Sequence, residues 1–156
     1  MTMHWTQAMS VGVPELDDDH KGLIHIINLL ETNADQEARE AAVRQCLVAL
    51  IRYAETHFGR EEQVMMVCGY PALSEHKAEH QAFIDKIRGI ADRFDDDPEG
   101  VARFVAQELV EFLQDWLVKH IQVEDKAYGP YAERRLTESR QAAQSFKAAE
   151  VWRSNV

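Results

Sequence analysis

Apolar residues recur along this chain at alternating steps of four and three, the spacing of helices that bury one face. The first stripe is Leu16, His20, Leu23, Ile27 and Leu30. The second is Val43, Leu47, Leu50, Ala54, His57, Glu61, Val64 and Cys68. The third is Leu73, His76, His80, Phe83, Ile87, Ile90 and Phe94, and the fourth Val105, Leu109, Phe112, Trp116 and His120. Helices are therefore expected from a cap at Asp17 or Asp18, then over residues 37–67, 72–94 and 101–120. A polar stretch over 31–40, the stop Gly69-Tyr70-Pro71 and the acidic turn over 95–100 separate them. Nothing alternates with the period of a strand. Four long helices with short connections predict an all-α, up-down-up-down four-helix bundle.

The ends differ from the middle. Gly12 and Pro14 make residues 1–15 an arm, which Trp5, Val11 and Val13 pack down. Residues 1–130 are expected to form the bundle with its arm. After Gly129-Pro130 the composition turns to Ala, Gln, Glu and Arg, with Leu136, Phe146, Val151 and Trp152 the strongly apolar positions. Residues 131–156 are thus expected as a fifth helix that either lies on the bundle or frays.

Composition narrows the function classes. The chain has 156 residues, enough for one domain with a real core. There are 27 acidic and 17 basic residues, a net charge of −10, and no basic cluster. Nucleic acid and anionic membrane surfaces are poor partners for such a surface. No run approaches the roughly 20 apolar residues of a membrane span. The first ten residues lack the basic-then-apolar order of a signal peptide. Cys46 and Cys68 stand apart, without a Cys-x-x-Cys, and read as reduced core residues. A cytoplasmic protein is expected.

The stripes contain residues that do not belong in a core. His20, His57, Glu61, His76, His80 and His120 all occupy inward positions, and two pairs are spaced i,i+4 on one face. Asp125 follows His120 by five residues, a rotation of about 140° on an ideal helix. It faces the same interior only if the helix is distorted between Ile121 and Asp125. One histidine on an apolar stripe is ordinarily a satisfied core residue. Seven converging polar groups are another matter. Each unpaired buried polar group costs about 1–3 kcal/mol, against a domain stability of about 5–15 kcal/mol. Mutual hydrogen bonds cannot saturate every imidazole nitrogen. A cation can.

Imidazole with carboxylate and no thiolate suits Fe, Mn or Zn. Seven ligands exceed one tetrahedral ion, so two metal ions are expected. Two octahedral ions that share both carboxylates and one solvent oxygen have one position left open. Such a site admits one small ligand.

At this point the sequence resembles the hemerythrin family, in its bacterial single-domain branch, the bacteriohemerythrins. The resemblance spans residues 5–131. It rests on W-T-Q-A-M-S-V-G-V-P-E-L-D-D-D-H, on H-F-G-R-E-E followed by Tyr70-Pro71, on H-K-A-E-H, and on W-L-V-K-H-I-Q-V-E-D. It implies a non-haem di-iron centre with an oxo or hydroxo bridge. His76, His80 and His120 would hold one iron, His20 and His57 the other, with Glu61 and Asp125 between them. Dioxygen would be the ligand at the open position of the two-histidine iron. Local matching places Phe58, Trp116, Leu117 and Ile121 as an apolar oxygen pocket. The implied function is reversible dioxygen binding for transport, storage or delivery, not enzymatic turnover, with weak peroxidase-type chemistry at most a side reaction. A monomer that supplies an oxygen-consuming enzyme is the expected setting. His4 and His25 are assigned to no metal.

Other readings use the same residues. Di-iron proteins can handle peroxide or nitric oxide, or sense oxygen, although sensing needs an output domain. A ferritin-like oxidase needs Glu-x-x-His motifs, and the chain has none. His76-Lys77-Ala78-Glu79-His80 fits the H-x-x-E-H pattern of zinc metalloproteases, with Glu79 as general base. That pattern leaves His20, His57, Glu61, His120 and Asp125 without a role.

Overall fold

The computed structural model describes residues 2–32 and 36–146. The chain opens with a 3₁₀ turn at Gln7–Met9, then α1 (Pro14–Thr32) and α2 (Gln36–Tyr53). A π-turn at Ala54–Phe58 joins α2 to α3 (Gly59–Val67). After α4 (Leu73–Asp96) and α5 (Pro98–Trp116), a π-helix over Leu117–Asp125 leads into α6 (Lys126–Arg134). α7 (Leu136–Gln144) is the last element. The chain thus builds four rods: α1, α2–α3, α4 and α5–α6. α1 packs on α2 and α5, and α4 packs on the same two, so consecutive rods are neighbours in a four-helix bundle. None of the described helices is long and apolar enough to cross a membrane.

The first helix starts earlier than its acidic run suggests. Pro14 takes the first helical position, where its missing N–H costs nothing. Asp17 lies inside the first turn and accepts from Ser10 Oγ at 2.6 Å and Val11 N at 2.9 Å. It anchors the arm instead of capping the helix. Asn28 fastens the arm further up, exchanging hydrogen bonds with Met3 N and O at 2.8 and 2.9 Å. α3 ends on Gly69 at φ 72°, with Tyr70 N bonded to Met65 O at 2.9 Å, a Schellman stop. The acidic turn shrinks to Asp97, whose carboxylate accepts from Gly100 N at 3.0 Å and caps α5.

The fourth rod does not stop at Gly129-Pro130. α6 continues to Arg134, and Gly129 serves a different need. A Cβ there would come within 3.1 Å of the Val11 carbonyl, where the arm crosses the rod. The segment after Arg134 packs down as α7 on α3 and α1. It docks through small residues, Ser139 and Ala143, while Leu136 stays exposed. Arg140 and Gln144 both reach Glu15 Oε1, at 3.0 and 2.8 Å. A Cβ on Gly59 would strike the Phe146 ring, so that glycine is the seat of the aromatic that follows α7. Val151 and Trp152 lie outside the described residues.

Two apolar clusters result. The larger fills the bundle between α1, α2, α4 and α5. The smaller gathers Val11, Val13, Leu16, Val64, Met65, Tyr128, Ala132 and Ala143 from the arm, α1, α3, α6 and α7. On each rod a ligand-type residue separates the two: His20 between Leu16 and Leu23, Glu61 between Phe58 and Val64, His76 and His80 between Leu73 and Phe83, Asp125 between Ile121 and Tyr128. A polar layer is sandwiched between apolar ones.

Candidate metal centre

The structure brings all seven of these side chains into that layer. Each is at most 3% exposed. His4 and His25 are exposed and stand outside the group. The π-helix brings Asp125 to the same side as His120, because a wider turn places residues five apart in line. His120 Nε2 is 3.0 Å from Asp125 Oδ1 as a result.

The distances describe two halves that share two carboxylates. Asp125 Oδ1 lies 2.9 Å from His76 Nε2 and 3.0 Å from His120 Nε2, while its Oδ2 lies 3.3 Å from His20 Nε2. Glu61 Oε2 lies 3.1 Å from His80 Nε2 and 3.3 Å from His57 Nε2. His20 and His57 bring their Nε2 atoms within 3.1 Å of each other. One half is therefore His76, His80 and His120, the other His20 and His57, and both include Glu61 and Asp125. Glu61 spans the halves with one oxygen only. Its Oε1 accepts from the Tyr128 hydroxyl at 2.8 Å.

Apart from the His20–His57 pair, these close approaches are not hydrogen bonds. Glu61 Oε2, both Asp125 oxygens and Nε2 of His76, His80 and His120 are buried without a hydrogen-bonded partner. They converge on shared points instead of on one another. Ligands at right angles on bonds of about 2.1 Å are about 3.0 Å apart, the spacing found here. The donor set and its geometry fit metal ions.

The outward face of three histidines explains why Nε2 is bare. His57 Nδ1 donates to Asp19 Oδ2 at 2.9 Å, His80 Nδ1 to Glu62 Oε1 at 3.0 Å, and His120 Nδ1 to Glu79 Oε2 at 2.6 Å. A carboxylate only accepts, so each Nδ1 carries a proton and each Nε2 is the nitrogen turned to the interior. Asp19 is held in turn by buried Arg60, at 2.6 Å. Asp19, Glu62, Glu79 and Tyr128 carry no apolar-stripe signal. Their only mark in the sequence is that three of them directly adjoin a residue of the seven: Asp19 beside His20, Glu62 beside Glu61, Glu79 beside His80. Glu79 is committed to His120, which removes it as the general base of a metalloprotease.

The field inside is negative. Burial alone would lower the His57 pKa, but Glu61 and Asp19 outweigh it and lift it to about 10. His120 is lifted against its burial to about 9, chiefly by Asp125. Burial and the neighbouring Glu61 would raise Asp125, yet His120 and His20 hold it at about 2. Such a cage attracts positive charge.

Aromatic rings wall the same histidines. Phe58 lies flat on His80, with centroids 3.9 Å apart, and Trp116 flat on His120 at 3.9 Å. Leu117 and Ile121 are fully buried behind them in the larger apolar cluster. Tyr53 lies flat on His57 at 4.8 Å, a contact that no stripe predicts. Burial, with the charges of Glu61, Asp125 and Asp19, pushes its phenol well above the usual range.

Comparison with known proteins gives the family. Residues 11–132 match the family model for the hemerythrin HHE cation binding domain. The chain is 37% identical over 129 residues to a bacteriohemerythrin of Methylococcus capsulatus, covering 82% of this chain and 95% of that protein. It is 28% identical over 141 residues to a bacteriohemerythrin of Stenotrophomonas maltophilia, covering 90% and 88%. A wild-type hemerythrin crystal structure superposes with a TM-score of 0.64 at 33% identity, covering 83% of this chain and 97% of that one. With its four rods and its buried layer of histidines and carboxylates, the chain belongs to the hemerythrin family.

Proposed function

We propose that this protein binds dioxygen reversibly at a non-haem di-iron centre, as a cytoplasmic carrier, store or local supply for an oxygen-consuming enzyme, and that it works as a monomer. The observation that carries this reading is the pair of inward-facing donor groups, three histidines and two, sharing Glu61 and Asp125. Five imidazoles and two carboxylates suit iron, and iron is what the hemerythrin resemblance implies. His76, His80 and His120 would hold one ion, His20 and His57 the other, with Glu61 and Asp125 common to both. Iron held by these residues would supply the electrons that make dioxygen binding strong yet reversible.

The rest is the work of the chain. Asp19, Glu62 and Glu79 fix the tautomer and tilt of His57, His80 and His120. Tyr128 ties up one oxygen of Glu61 and so orients the other. Phe58, Trp116, Leu117 and Ile121 keep water away from the open side, which slows loss of the bound ligand in a reduced, charged form.

The test is iron quantification with visible spectroscopy under controlled oxygen. About two irons per chain, with a charge-transfer band that appears in air and fades on degassing, is the expected result. One metal or fewer per chain, or steady peroxide consumption without a stable adduct, rejects it.

A further inference from the structure

We infer that the Tyr53 hydroxyl is a hydrogen-bond donor to the small ligand, dioxygen or a small anion, that enters the two-histidine half of the centre. The inference rests on the di-iron reading above.

Tyr53 sits one π-turn before His57 and lays its ring on that imidazole, 4.8 Å away and 14° from parallel. Phe58 and Phe83 flank it, at 5.8 and 6.3 Å. Its hydroxyl is shut off from solvent and has no hydrogen-bond partner. A phenylalanine would fill the same space without leaving a buried polar group unpaired, a state that ordinarily destabilises a fold. The neighbouring carboxylates are turned to other groups. Glu61 gives Oε1 to Tyr128 and turns Oε2 to His57 and His80, and Asp125 turns its oxygens to His20, His76 and His120. The hydroxyl is thus a donor at the edge of the centre that the protein itself does not use.

A surface groove touches the same residue. It has a volume of about 360 Å³, runs between α1 and α2, and is lined by Asp19 and Tyr53 together with Asp18, Gly22, His25, Ile26, Ala49 and Thr56. Asp19 and Tyr53 are side chains that touch His57. Tyr53 thus borders the groove on one side and His57 on the other. The open position that the ligand count implies would belong to that half, which this donor adjoins.

The test compares the parent protein with Tyr53→Phe in two measurements. Azide titration of the oxidised, iron-loaded protein, followed by its visible band, reads the hydrogen bond to an entering ligand. Thermal unfolding of the iron-free protein reads the hydroxyl without one. Loss of a bond to a charged acceptor should weaken azide binding about tenfold. The iron-free Tyr53→Phe protein should unfold at the same or a higher temperature than the parent, because it loses only an unpaired hydroxyl. Azide affinity within twofold of the parent overturns the inference. So does a lower unfolding temperature of the iron-free variant, which would mean that the hydroxyl already has a structural partner. A parent protein that takes up no iron pair, or no azide, defeats the di-iron reading itself; a parent that binds both while Tyr53→Phe binds azide equally defeats this inference alone.

Discussion

A carboxylate behind an imidazole decides which of its two nitrogens faces a metal. In this protein the arrangement recurs three times, and Glu79 is the informative case because it is partly exposed while its partner His120 is buried. Glu79→Gln keeps an acceptor but removes the charge. It should weaken iron retention about 10- to 100-fold, the range for outer-shell partners of metal ligands, with little change in the fold. Competition with a chelator, alongside circular dichroism, measures both. Unchanged retention would mean that His120 is positioned by packing against Trp116 alone. Leu117 tests the other wall. Leu117→Ala should shorten the lifetime of the oxygenated form and cost about 2–5 kcal/mol of stability, and equal autoxidation rates would remove the pocket role from this residue. Six of the seven converging residues were legible one by one, because histidine or glutamate at the centre of an apolar stripe contradicts its surroundings; Asp125 was legible only through its spacing from His120. Asp19, Glu62 and Glu79 were not, because an acidic residue at a helix rim is indistinguishable from an ordinary solvated one until the neighbouring helix is in place.

Among the elements, the π-segments carry the functional geometry. The spacing of His120 and Asp125 demanded a distortion, and the π-helix over Leu117–Asp125 supplies it. The π-turn at Ala54–Phe58 gave no such warning, since a stripe averaged over several turns keeps its fours and threes when one residue is inserted. α7 was ambiguous from composition for a physical reason. It docks through Ser139, Ala143 and polar ties to Glu15, which produce little apolar periodicity. Burial would raise the Glu15 pKa, but hydrogen bonds from Arg140 and Gln144 hold it below its usual value. A depressed carboxylate pKa stabilises above the unfolded value, about 4.3, and the stabilisation fades as pH falls through the folded one. Hydrogen exchange of the α7 amides should therefore accelerate selectively below about pH 4. Glu15→Gln should make their protection nearly independent of pH over that range, and a pH response that survives the substitution would assign it to another group.

For the molecule as a whole, a buried layer of charge between two apolar clusters is costly unless something neutral overall results. Cations do this, so stability and metal content should rise together. Removing the metal should lower the unfolding temperature by roughly 5–10 °C, taking about 2.7 kcal/mol for a site at 100-fold saturation and 2–4 °C per kcal/mol for a chain of this size. Calorimetry before and after chelation checks it, and identical transitions would show that the layer balances its charge by protons alone.

The sequence by itself determined the four rods, the faces they bury and the identity of the residues that break the apolar pattern, because periodicity and residue type are local properties of a chain. Only the tertiary structure decided which oxygen of each carboxylate faces which histidine, that Glu79 reaches across to His120, and that Gly59 and Gly129 make room for Phe146 and the arm. Those are relations between distant segments, set by how rods pack and not by how each one coils.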